Sequence, residues 1–333
     1  MIIKTSSYPR AALIGNPSDG YFGKTIAFLF NNFKAEVILF ESPELEIIPA
    51  IYDSNVFPGI KALVDDVNLF GYYGGIRLLK AAVKKFYDYC SENEIHLPDK
   101  NFTIRYKSDI PFRLGLAGSS AIITACMKAL MTFFEVNIPK PLLANLVLSV
   151  EVAELKISAG LQDRVAQSYE HPVYMDFNET VMKENGYGIY ETIDKKLFPP
   201  LYIAYDTQLS EGSEVVHDTF RERYNFQDKE VLKAIKEWSI LTDKTRDLLF
   251  NNNMDIGELL NRNFDIRRSV MKISKKNLLM VETARSAGAS AKFTGSGGAI
   301  IGTYKDDKMF NELKESLNKI GVVALKPDIV SNT

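Results

Sequence analysis

The sequence predicts an α+β fold, and three observations carry that reading. Runs with strand alternation are interleaved with runs of helical spacing along 333 residues. Glycine-rich turns of hairpin length separate some of the strand-like runs, and at roughly 150 residues per domain the chain is long enough for two lobes. Composition agrees, since 46% hydrophobic and 25% charged residues describe an ordinary soluble, core-forming chain. A formal net charge of −2, with neither sign in long blocks, argues against a nucleic-acid partner. Cys90 and Cys126 are too few for a disulfide framework or a thiolate zinc site. The first seven residues lack an apolar signal core, and no apolar run approaches ~18 residues. No membrane contact is therefore expected, and the cytoplasm is the expected compartment.

The elements follow in order. Residues 11–14 are apolar and strand-like, stopped by the turn-rich stretch Gly15-Asn16-Pro17-Ser18-Asp19-Gly20. Residues 33–40 alternate as a strand, whereas 41–57 show no clear period. Ile76, Leu79, Ala82, Val83 and Phe86 predict a helix over 74–89. Phe102, Ile104 and Tyr106 share one face of a strand over 102–107. Ala121, Ile122, Ala125, Cys126, Ala129 and Phe133 then predict a helix over 119–134. Another helix spans 141–155, with Pro141 suited to its first turn. It ends near Ser158-Ala159-Gly160. A polar stretch over 178–199 precedes Pro199-Pro200, so the lobes are divided as 1–180 and 181–333. Beyond it come a buried strand over 201–205, two or three helices over 214–287, and strand, turn, strand over 291–304. A helix carrying Phe310, Leu313 and Leu317 and a last strand over 321–325 close the chain.

The most informative stretch is Pro111-Phe112-Arg113-Leu114-Gly115-Leu116-Ala117-Gly118-Ser119-Ser120-Ala121. A loop of glycines and small residues that closes onto a helix N-terminus presents free N–H groups and the positive end of a dipole, which suits phosphate. Ser119 and Ser120 add hydroxyls at the first turn, one to cap the helix and one to face a magnesium ion. Gly23-Lys24-Thr25 mimics the tail of a P-loop, but the required earlier glycine is Ser18, so the spacing fails. Glu151 and Glu154, three apart, are expected on one helix face, with Asp163 beyond the break at 158–160. Two acids near a phosphate loop suit a magnesium nucleotide, one for the metal and one for the nucleophile. Gly295-Ser296-Gly297-Gly298 permits close backbone approach. His96, His171 and His217 lie in no motif.

These elements, in this order, resemble the galactokinase, homoserine kinase, mevalonate kinase and phosphomevalonate kinase superfamily, the GHMP kinases. Arg10 to Tyr21 is similar to the first motif; Pro111, Gly115, Leu116, Ser119, Ser120 and Ala121 to the second, with one extra small residue at Ala117-Gly118; and Lys292 to Gly298 to the third. Within the superfamily the pattern resembles glucuronokinases at residues 15–23, at Gly71-Tyr72-Tyr73-Gly74-Gly75-Ile76-Arg77-Leu78-Leu79, at 159–167 and at Asn263-Phe264-Asp265-Ile266-Arg267-Arg268.

The resemblance implies a two-lobed GHMP kinase fold, with a ribosomal protein S5 domain 2-like N-terminal lobe and a ferredoxin-like C-terminal lobe. It implies transfer of phosphate from ATP, with magnesium, to the anomeric hydroxyl of D-glucuronate, and a place in UDP-sugar salvage. Asp163 would meet the reacting hydroxyl and Arg10 the γ-phosphate. Ser120 and Glu151 would hold the metal, and residues 111–120 (Pro111, Gly115, Leu116, Ala117, Gly118, Ser119, Ser120) the nucleotide. Asp19, Tyr21, Gly297 and Asp163 would contact the sugar. Asn16 and Pro17 stand where galactokinases carry Glu and His, which argues against galactose. A uronate also needs a cation, for which Lys24 ranks first; Arg77 and Arg267 follow and are expected as ordinary helix-surface charges. The alternatives are a kinase for galacturonate, a pentose or a heptose, or an inactive sugar and nucleotide sensor, as a monomer or homodimer.

Overall fold

The computed structural model describes residues 1–50, 53, 74–207 and 214–331, with backbone alone over 214–218. Gly71, Tyr72 and Tyr73 of the glucuronokinase-like pattern, and residues 51, 52 and 54–57 of the stretch without period, lie outside the described residues. The chain begins with strands β1 (Ile2–Ser7), β2 (Arg10–Ile14), β3 (Lys24–Leu29), β4 (Ala35–Ser42) and β5 (Glu46–Ile48). Helix α1 (Gly75–Glu92), strand β6 (Asn101–Ser108) and helices α2 (Gly118–Phe134), α3 (Lys140–Ser149) and α4 (Gln162–Tyr169) follow. Then come β7 (Val173–Asp176), α5 (Glu179–Asn185), β8 (Ile189–Thr192) and β9 (Leu201–Asp206). Helices α6 (Glu214–Asn225), α7 (Lys229–Phe250), α8 (Gly257–Val270) and α9 (Lys275–Ser286) lead to β10 (Lys292–Phe293) and β11 (Ala299–Thr303), and α10 (Asp307–Asn318) and β12 (Val322–Leu325) complete the α+β fold.

Two compact units are present. The first gathers the described residues of Met1–Pro9, Phe33–Phe112 and Ala117–Ser168. Its sheet has the order β1-β4-β6-β5, antiparallel except for the parallel pair β5 and β6. Register sets Val37 opposite Tyr106 and Leu39 opposite both Ile3 and Ile104, so a single apolar face forms across three strands. Helix α2 covers that face. It is apolar on nearly every side, which is why Ala121, Ile123, Ala125, Cys126, Met127, Ala129 and Leu130 are all fully buried between the sheet and α1.

The second unit gathers Arg10–Asn32, Arg113–Leu116 and the described residues of Tyr169–Thr333. It holds two antiparallel sheets, β2-β3-β7-β8 and β10-β11-β9-β12. A core of Tyr202, Phe264, Met280, Ala284, Phe293, Ile300, Phe310, Leu313 and Leu317 joins the second of these sheets to α8, α9 and α10. Side-chain caps fix the helix starts: Asp228 accepts from the Glu230 and Val231 N–H groups, Ser274 from Asn277 and Asp306 from Met309.

Several elements lie where the sequence shows no period. Strand β3 is buried along almost its whole length, so it has no polar alternation. The polar stretch over 178–199 contains α5, capped by Asn178, and the edge strand β8. Among the described residues four helices occupy 214–286, where two or three are expected.

Phe86 lies 1% exposed in the first unit, its ring stacked 5.8 Å from that of Phe134. Phe86→Ala should lower unfolding stability by about 3–5 kcal/mol, read from urea denaturation. A change below about 1 kcal/mol would mean that the site collapses around the loss.

Candidate active site

In the first unit, α2 is entered through Ala117, which takes the left-handed conformation at φ +62°. No side chain caps this helix, so its first-turn N–H groups are left to other acceptors. The Ala117 carbonyl is fixed from several directions. It accepts from the Ala121 N–H, from the Ser120 hydroxyl at 3.1 Å and from Gln167 Nε2 at 3.1 Å. Gln167 also donates to the Tyr8 carbonyl at 3.2 Å, tying the loop to the strand end.

Around this helix start the chain assembles an acid cluster. The Ser119 hydroxyl donates to Glu151 Oε1 at 2.7 Å. Glu151 is 1% exposed, and its other oxygen accepts from Arg164 Nε at 2.9 Å and from Nη2. Arg164 Nη1 donates to Asp163 Oδ2 at 3.1 Å and to the Gly160 carbonyl at 2.8 Å. One guanidinium therefore orients both carboxylates, and Asp163 keeps partial exposure, 14% of its side chain, at the first turn of α4.

One expectation is corrected here. Glu151 and Glu154 do not share a face. Residues Val150–Glu154 form a π-turn at the end of α3, closed by Leu155 N–H on the Val150 carbonyl at 3.1 Å. The wider turn sends Glu151 inward and Glu154 outward to Lys84, 3.0 Å away on the surface. The hydroxyl that reaches Glu151 belongs to Ser119, while Ser120 is fully buried and bonded to the Ala117 carbonyl. Glu151 and Ser119 offer hard oxygen donors of the kind magnesium takes. Among the described residues no group of three or more His, Cys, Asp or Glu could hold a metal, so such an ion would complete its shell with phosphate oxygens and water.

In the second unit, three buried cations surround the Gly295 turn. Arg10 receives from its N–H to the Leu116 carbonyl at 3.1 Å a fixed place at the start of β2, and its Nη1 donates to the Thr294 carbonyl. Arg267 donates to the carbonyls of Gly295 at 2.7 Å and Ser296 at 3.0 Å. Lys292 donates to those of Ala12 at 2.7 Å and Phe293 at 2.8 Å. Burial lowers the Arg267 pKa to about 10, partly offset by Asp19. Burial, with Arg267 and Arg10 nearby, pushes the Lys292 ammonium well below its ordinary value. Gly295 is required here: a Cβ would stand 2.3 Å from the Gly115 carbonyl oxygen, so the second and third motifs touch backbone to backbone. Gly297, at φ +146°, lies in the same turn.

The first motif is pinned to α8. Asn263 accepts from the Gly15 N–H at 2.7 Å and donates to the Asn16 carbonyl at 3.2 Å, while Asn16 donates to the carbonyls of Phe293 and Gly295. Asp19 and Tyr21 lie on a short 3₁₀ turn, Ser18–Tyr21. Lys24 is not a free cation. It bonds Asp243 at 2.9 and 3.1 Å and pairs with Asp176 at 3.2 Å. Although partial burial works against its charge, hydrogen bonds to Asp243 and Tyr174 hold its pKa above the ordinary value. Two carboxylates to one ammonium make a poor seat for a third. Arg267, expected on a helix surface, is 3% exposed. Arg77 is half-buried in the first unit and donates to the Leu155 carbonyl at 3.2 Å. Arg164, Gln167 and Asn263 stand in the quoted patterns, but no role was legible for them: the partners of Gln167 and Asn263 lie far away in sequence, and Glu151 meets Arg164 only because the π-turn directs it inward.

Arg164→Met would leave Glu151 buried without its cation and should cost about 3–5 kcal/mol in unfolding stability, with part recovered by adding Glu151→Gln. Denaturant midpoints of the two variants check this. Lys292 gives a pH signature. The unfolded chain holds this proton up to about 10.5, whereas the folded protein releases it earlier. Between those values the unfolded state binds more protons, so stability rises with pH in the wild type. Lys292→Met should lack that component in urea midpoints taken from neutral to alkaline pH; parallel curves for the two proteins would count against it.

Comparison with known proteins bears on this arrangement. Residues 77–171 match the GHMP kinases N terminal domain. Probable glucuronokinase 2 of Arabidopsis thaliana is 43% identical over 308 residues, covering 90% of this chain and 84% of its own. Glucuronokinase 1 of the same plant is 42% identical over 306 residues, with the same shares covered. In three dimensions the chain is similar to Lactococcus lactis galactokinase, with a TM-score of 0.75, 16% identity and 99% and 94% of the two chains covered. At that identity the likeness speaks for the fold, whereas the plant relatives speak for the family: the chain belongs to the GHMP kinases, among the glucuronokinases.

Proposed function

We propose that this chain transfers the γ-phosphoryl group of ATP to the anomeric 1-hydroxyl of D-glucuronate, giving D-glucuronate 1-phosphate. The observation that carries the reading is the likeness to two glucuronokinases over 90% of the chain. The first unit supports it with a carboxylate, Asp163, held at a helix start by Arg164. Asp163 orients the reacting hydroxyl and takes up its proton as the O–P bond forms. The Gly118–Ser120 turn offers N–H groups to phosphate, and Arg10 meets the γ-phosphate. Ser119 and Glu151, with Ser120 behind them, would hold magnesium, which when bound neutralises charge on the β- and γ-phosphates. Asp19 and Tyr21 contact the sugar, and Gly297 lets it approach backbone. Among the described residues no helix is long and apolar enough to cross a membrane. A cytoplasmic kinase feeding UDP-sugar salvage, as a monomer or homodimer, fits this reading.

The test is ADP release with ATP and magnesium across D-glucuronate, D-galacturonate, glucose, galactose, a pentose and a heptose. D-Glucuronate should be turned over fastest, and a clear preference for a neutral sugar would overturn the substrate. Asp163→Asn should lower kcat by about 10²–10⁴-fold with ATP binding retained. Wild-type turnover in that variant removes Asp163 from the chemistry.

A further inference from the structure

A uronate differs from a neutral sugar by one carboxylate, and recognising it calls for a cation with donors to spare. The three cations expected for this purpose are engaged otherwise: Lys24 with Asp176 and Asp243, Arg267 with the carbonyls of Gly295 and Ser296, and Arg77 with the carbonyl of Leu155. A fourth stands beside the proposed sugar-contacting turn. Helix α6 presents Phe220 and Tyr224 four residues apart, so both rings lie on one face. That face packs on Tyr21, with ring centroids 5.1 Å away for Phe220 and 4.9 Å for Tyr224. Tyr21 is 7% exposed and closes the Ser18–Tyr21 turn that carries Asp19.

Arg221 follows Phe220 directly and is exposed. Its guanidinium lies close enough to the Tyr21 phenol to act on its ionisation, and the charge of Asp19 is felt at the same group. Burial pushes the Tyr21 phenol up, and Arg221 pulls it back. Two residues on, Arg223 is paired with Asp228 and Glu230, whereas no ion pair to Arg221 occurs among the described residues. An exposed guanidinium beside one phenol has donors for a planar carboxylate. We propose that Arg221 is the specificity residue that grips the carboxylate of a hexuronate, beside the turn of Asp19 and Tyr21. The inference rests on the glucuronate reading above, and it adds a residue outside all three motifs.

The test compares wild type, Arg221→Met and Arg221→Lys by steady-state kinetics on D-glucuronate and on D-glucose at saturating ATP. Arg221→Met should raise KM for D-glucuronate by about 10- to 100-fold, the range for one charge-assisted contact, with kcat and the KM for ATP held. The KM for D-glucose should stay put, so the preference for the acid collapses, and Arg221→Lys should recover part of it. An equal rise in KM for both sugars would mean that Arg221 only supports Tyr21, and would overturn the inference. So would an unchanged KM for D-glucuronate in Arg221→Met, with the substrate reading intact. Wild-type enzyme that ignores D-glucuronate overturns both together.

Discussion

The backbone carbonyls of residues 293–296 are held by buried basic side chains, and much of the second unit is arranged around that constraint. Arg10, Arg267 and Lys292 are all buried and all donate to peptide oxygens in or beside this turn. Burying a charge is costly unless something answers it, and a peptide dipole answers it only in part. Asp19 favours the charge on Arg267, whereas burial beside Arg267 and Arg10 works against that on Lys292, in an environment fixed by these bonds. Such an environment needs no rearrangement when an anion arrives, which is the physical basis of electrostatic preorganisation. The same bonds bring the first motif, through Asn16, onto the third.

The first unit solves a related problem with the opposite sign. There two carboxylates, Glu151 and Asp163, are organised by Arg164, whose remaining donor holds the Gly160 carbonyl. The guanidinium is planar and forked, so a lysine could not hold three acceptors in the same fixed directions. Glycine 160 and its neighbours end the preceding segment, and α4 begins where Arg164 can reach back. Local chain geometry and charge placement are thus one feature.

Legibility in the sequence followed the range of the interactions involved. Helix α2 was readable because its apolar residues repeat at helical spacing, and the hairpin β10–β11 because Gly295 to Gly298 separates two apolar runs. The loop, the Arg10 motif and the Asp163 pattern were readable because each is local. Arg267 was misjudged as a surface charge because its partners, Gly295 and Ser296, lie 28 and 29 residues away, and nothing in the period of α8 shows them. The pairing of Lys24 was illegible for the same reason, since Asp243 is 219 residues distant. That Ser119, and not Ser120, bonds Glu151 was illegible for another reason: adjacent helix residues point about 100° apart, and the sequence alone leaves the phase of the first turn open.

The π-turn at Val150–Glu154 accommodates one residue more than an α-turn would. Deleting a residue from it would yield a helix that closes normally, so backbone hydrogen bonding offers little resistance to the change. Phase is another matter. An α-turn sets residues three apart on one face, so the parting of Glu151, turned inward, from Glu154, turned out to Lys84, depends on the extra residue. In this segment the number of residues, as much as their identity, specifies the site.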